Sequence, residues 1–170
     1  GYRGWILFLD EFPSATQAVQ AAAYKLVLDR FVGKHALHEK CVIICAGNKA
    51  TDGAIVNRMG TAMQSRLIHL ELDVDVLGCL QWANENCLDH RVISYIEGHP
   101  SELHKFKPDH DDKTFACPRT WEFVSKLILN KEPGPTTLPL LIGTLSAGVG
   151  NSFNAYLRYY SEMASIDDIK

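Results

Sequence analysis

Apolar positions along the chain follow two rhythms, and the change falls near residue 73. Ahead of it they come as short unbroken runs. Trp5 to Leu9 (WILFL) and Cys41 to Ala46 (CVIICA) carry no polar interruption, the pattern of parallel strands covered on both faces. Leu67 to Leu72 reads as a third strand. Between the first two, Ser14-Ala-Thr-Gln17 reads as a capping box, with Ser14 as N-cap and Gln17 as its partner. Val19, Ala22, Ala23, Leu26 and Phe31 follow at helical spacing, and Gly33 is a stop signal. A short helix near Thr61 to Arg66 precedes the third strand. Strands joined by helix-sized crossovers predict an α/β fold with a partial, three-stranded parallel sheet.

Past Asp73 the apolar period becomes helical. Val76 to Asn86 and His90 to Gly98 read as amphipathic helices, and a polar connection runs from His99 to Cys117. Pro118 opens a further helix reaching about Lys131, where Glu132-Pro-Gly-Pro135 breaks it. Thr137 to Gly148 and Asn151 to Met163 complete the helical set. This half has no strand signal, so the expected domains are residues 1–73, α/β, and 74–170, all-helical.

Composition narrows the class. Hydrophobic residues make up 46% and charged residues 22% of 170 positions, enough for one domain or two small ones with a sizeable core. A formal net charge of −3 and the lack of a basic stripe argue against nucleic acid or a membrane surface as partner. No apolar run approaches the roughly 20 residues of a membrane span. Nor is there a basic-then-apolar leader, so the expected compartment is the cytoplasm. The five cysteines (Cys41, Cys45, Cys79, Cys87, Cys117) are odd in number and several sit in apolar segments, which suits reduced thiols. Cys87 and His90 have a metal-like spacing, and His99, His104 and His110 follow, but no second tight pair completes a zinc site. Scattered histidines and the cluster Asp109-His-Asp-Asp112 read as solvated loop.

The candidate chemistry lies where the apolar runs stop. The first ends in Asp10-Glu11, the second in Asn48. In open parallel sheets ligands bind beyond the carboxyl ends of the strands, so three polar groups converge if the two strands are neighbours. One carboxylate there can hold Mg²⁺, largely through its waters. The next can orient or deprotonate a nucleophilic water, and the amide can position that water or touch a phosphate. The plainer alternative is that both acids are simply exposed at a strand end.

These segments carry a resemblance. ILFLDE resembles a Walker B strand and CVIICAGN the sensor-1 strand of AAA+ ATPases. Thr61-Ala-Met-Gln-Ser-Arg66-Leu, leading into IHLEL, resembles the arginine-finger segment. Cys117-Pro-Arg119-Thr-Trp121 resembles the sensor-2 motif that opens a helical lid. The order of the four, and the tail LIGTLSAGVGNSFNAYLRYYSEM, are most similar to the MoxR-type and phage-encoded group. The resemblance implies that Asp10 acts on Mg²⁺, Glu11 activates water, Asn48 is sensor 1 and Arg119 contacts nucleotide phosphate. It also implies that Arg66 is the finger, with Arg58 as competing candidate. ATP and Mg²⁺ are the cofactors it implies for the intact protein, and remodelling of a protein client is the expected task.

Two of these roles have independent support. Placed just before a third parallel strand, Arg66 would lie at the sheet edge opposite Asp10-Glu11. It would then serve a neighbouring subunit of a homo-oligomer, as trans-acting fingers do; otherwise it is a surface arginine. Arg119 follows Pro118 at the first helical position. A cation there opposes the helix dipole unless an anion binds, when guanidinium and free N–H groups converge on it. Trp121, Val124 and Ile128 should face the core.

One part is missing. No G-x-x-x-x-G-K-[ST] phosphate cradle occurs; Gly33-Lys34 and Gly47-Asn-Lys49 come nearest. In the family that motif precedes the Walker B strand, so the expectation is the C-terminal half of an ATPase module, binding nucleotide weakly if at all. Strand faces left uncovered would drive self-association. The rival is a non-catalytic interaction module with a degenerate ATPase-like fold.

Overall fold

The computed structural model describes residues 3–49, 57, 59–109 and 111–162. The chain divides into two compact units, Gly1–Glu71 and Leu72–Lys170.

In the first unit, β1 (Trp5–Leu9) leads through a 3-10 turn (Phe12–Ser14) into α1 (Gln17–Tyr24), which continues as a π-helical turn over Lys25–Asp29. The N-cap of α1 is Thr16, not Ser14: its side chain accepts the Val19 N–H at 3.4 Å. Pro13 draws Ser14 into the 3-10 turn, so the helix can begin only after the chain has straightened at Ala15. The helical run ends on Arg30, itself left-handed at φ 63°. Gly33, at φ 59°, instead turns a small antiparallel hairpin of β2 (Phe31–Val32) and β3 (His35–Ala36).

β4 (Cys41–Cys45) pairs parallel with β1, Trp5 facing Cys41 and Leu9 facing Cys45. This register puts Ile6, Phe8, Val42 and Ile44 on one face, all exposed, while Leu7, Leu9, Cys41, Ile43 and Cys45 line the more buried face. The expected covering of both faces is therefore realised on one. The expected third strand is absent as well. After α2 (Thr61–Gln64) the segment from Leu67 to Leu72 belongs to no sheet, with Ile68 90%, Leu70 82% and Leu72 92% exposed. Its apolar alternation suits a strand, but a strand needs a ladder for its N–H and C=O groups, and the described sheet is two-stranded. The fold is mixed α/β with a small parallel sheet.

The second unit is helical: α3 (Val76–Glu85), α4 (His90–Gly98), α5 (Pro118–Ile128), α6 (Thr137–Leu145) and α7 (Ala147–Glu162). Residues at three- and four-residue spacing build its core: Val92, Tyr95 and Ile96; Trp121, Val124 and Ile128; Val149, Phe153 and Leu157. Each such burial is worth about 1.5–3 kcal/mol. Trp121 stands edge-on to Phe153 at 5.1 Å, and its indole N–H donates to the Glu102 carbonyl at 3.0 Å. Ser146, at φ 87°, separates α6 from α7. Their approach at Gly150 is so close that a β-carbon there would lie 2.8 Å from the Ile142 nitrogen.

Candidate functional site

The end of β1 is held by its neighbour. The Ala46 N–H donates to the Leu9 carbonyl and the Phe12 N–H to the Ala46 carbonyl, both at 3.0 Å. Between these bonds the chain bulges outward as Asp10-Glu11, both exposed. The carboxylates thereby leave the ladder into water, so an apolar strand can end in two acids without a desolvation cost. Glu11 is left-handed (φ 52°, ψ 28°). Its N–H donates to Asp10 Oδ1 at 3.0 Å, and its Oε2 accepts the Ser14 hydroxyl at 3.1 Å.

Asn48 lies on the same sheet edge, three residues past Cys45, and is exposed. Gly47 lets the two strand exits touch: a β-carbon there would sit 2.3 Å from the Pro13 ring. Asp10, Glu11 and Asn48 thus share the carboxyl end of the parallel pair. Behind them lie two residues that sequence reasoning missed. Gln20 is 3% exposed, and its side-chain amide lies within hydrogen-bond reach of the carbonyls of Pro13, Ala15 and Asn57. Asn57 donates its side-chain amide to the carbonyls of Ser14 and Ala15 and its N–H to that of Pro13. Their one sequence signal is a polar side chain at a buried-phase position of α1.

Arg66 follows α2 in the first unit, exposed, its Nη1 donating to the Ala62 carbonyl at 2.7 Å. Its expected place on the opposite sheet edge depended on the third strand, and without that strand the placement loses its basis. Arg58 lies outside the described residues, as does His110. Arg119 belongs to the second unit, exposed at the second position of α5. That helix is fixed by Trp121, Val124 and Ile128, all buried, and the Cys117 N–H donates to Thr120 Oγ1 at 2.8 Å.

A second ionic cluster lies within the helical unit. Buried Arg91 clasps Asp89 through Nε and Nη2 at 2.9 and 2.8 Å and donates onward to the carbonyls of Ile128 and Lys131. Burial pushes the Asp89 carboxyl up, but the Arg91 hydrogen bonds and charge outweigh it and hold the group below the usual carboxylate range. This cluster is structural, tying α4 to the end of α5.

All five cysteines are free thiols. Among the described residues no group of three or more His, Cys, Asp or Glu could hold a metal, and no helix is long and apolar enough to cross a membrane. Asp10 is an exposed carboxylate of the kind that Mg²⁺ takes, one or two at a time, when phosphate and water supply the other ligands. No protein-family profile, curated protein or solved structure matches the chain.

Proposed function

We propose that this chain is the Walker B-to-lid portion of a Mg²⁺-dependent AAA+ ATPase that remodels a protein client. The observation that carries the reading is the parallel pairing of β1 with β4, which brings Asp10, Glu11 and Asn48 to one carboxyl edge. In this reading Asp10 holds Mg²⁺ through water, and Glu11 orients or deprotonates the attacking water. Asn48 positions that water or the terminal phosphate. Arg119 is the phosphate-contacting arginine, and Arg66 acts on a neighbouring subunit of a homo-oligomer in the cytoplasm. Exposure of both acids suits the role, because a ligand must reach them.

The rival reading, a non-catalytic interaction module, draws support from the exposed apolar face of Ile6, Phe8, Val42 and Ile44. Calorimetric titration of Mg²⁺–ATP separates the two. It is run on this chain and on one carrying roughly 150 residues of native upstream sequence, about one further domain. Binding by the extended chain, with Glu11→Gln retaining affinity and losing hydrolysis, supports the ATPase. No binding by either chain leaves the interaction module.

A further inference from the structure

The turn that carries Glu11 leaves three consecutive carbonyls, Pro13, Ser14 and Ala15, without a strand ladder to satisfy them. Such groups need donors, and here the donors come from two distant places at once. Gln20 reaches Pro13 and Ala15 from α1 at 3.4 and 3.1 Å. Asn57 reaches Ser14 and Ala15 with its side chain at 3.3 and 3.0 Å and Pro13 with its N–H at 2.9 Å. The same Gln20 amide closes the ring by approaching the Asn57 carbonyl at 3.4 Å.

Asn57 in turn begins the segment that ends in Arg66. That segment meets the end of α1 at one further point and buries a side chain of its own. Gly60 packs against the Tyr24 hydroxyl, where a β-carbon would lie 2.3 Å away, and Met63 is wholly buried. At the other end of the ring, Ser14 grips the Glu11 carboxylate directly.

We propose that Gln20 and Asn57 are positioning residues that lock the acidic turn and the Arg66-bearing segment into one body. A displacement of Arg66 is then felt at Glu11 through Asn57, the carbonyls of residues 13–15 and Ser14. The roles given to Glu11 and Arg66 rest on the ATPase reading, whereas the linkage concerns only this chain. On that reading a subunit whose Arg66 is engaged by its neighbour holds its own water-activating carboxylate differently from one whose Arg66 is free.

The test is native-state hydrogen exchange on the 170-residue chain, following the amides of Phe12 and Ser14 in the turn and of Asn57 and Met63 in the second segment. Gln20→Glu keeps the size of the side chain and removes both donors. Turning acceptor-only oxygens onto these half-buried carbonyls should speed exchange about ten- to hundredfold at both segments together, with Val92 and Trp121 in the helical unit unchanged. Asn57→Ala should do the same, and it decides the matter if Gln20→Glu does not fold. Faster exchange at one segment only, or at neither, overturns the linkage. In a longer chain that hydrolyses ATP, Gln20→Glu should lower kcat with nucleotide affinity unchanged. Absence of hydrolysis in every form would sink the ATPase reading and leave the exchange result standing on its own.

Discussion

Glu11 adopts the left-handed conformation that costs an ordinary L-residue about 1–2 kcal/mol. Glycine meets no such penalty, so Glu11→Gly should stabilise the first unit by roughly 0.5–1 kcal/mol after the Ser14 hydrogen bond is lost. Urea denaturation reads this gain. If the side chain is the water-activating group, the same variant loses hydrolysis, and stability and activity move in opposite directions. An unchanged or lower stability would show that the left-handed turn stores no strain. Gly33, by contrast, already provides the left-handed turn of its hairpin at no steric cost.

At the scale of elements, the Asp89–Arg91 pair fastens α4 to the last turn of α5. The folded-state pKa of Asp89 is depressed, so its contribution is present above the unfolded value of about 3.9 and is lost as pH falls through the folded one. Asp89→Asn strands a buried guanidinium and should cost about 3–5 kcal/mol at neutral pH. The gap to the parent should narrow in denaturation curves recorded below about pH 4. The α6–α7 crossing makes a separate demand. Gly150→Ala puts a methyl against the Ile142 backbone and should lower stability by about 1–3 kcal/mol, measurable as a fall in Tm with the helix content of the folded state retained.

The helical unit was the more legible one, because its apolar residues repeat at the period of the element that buries them. Trp121, Val124 and Ile128 announced an inward face, and the structure buries all three. The first unit was harder to read. Leu67 to Leu72 alternates like a strand, yet pairing depends on a partner edge that no local pattern encodes. The strand-end positions of Asp10 and Asn48 could be read from where the apolar runs stop. Ser14 was visible as a polar residue before a helix, but Pro13 redirected it from capping α1 to holding Glu11. Gln20 showed only as a polar side chain on the buried face of α1, and Asn57 showed nothing, because their partners are carbonyls, which every residue carries.

For the molecule as a whole, apolar surface is distributed unevenly. The helical unit encloses its core, whereas the first unit exposes one face of its sheet and leaves both outer edges of the β1–β4 pair without a neighbouring strand among the described residues. Edges and apolar faces of this kind recruit other chains. Sedimentation should therefore show apparent mass rising with concentration, and Phe8→Lys combined with Val42→Lys should restore a single light species. A parent chain that stays monomeric at high concentration would contradict this.

The sealing of Trp121 also gives the protein a built-in optical contrast. Trp5 and Trp82 meet water, while Trp121 is 1% exposed and boxed by Tyr95 and Phe153. Iodide in solution can collide with the first two indoles and not with the third. Emission surviving saturating quencher comes from the helical core alone, and its return to quenching marks the moment that core opens.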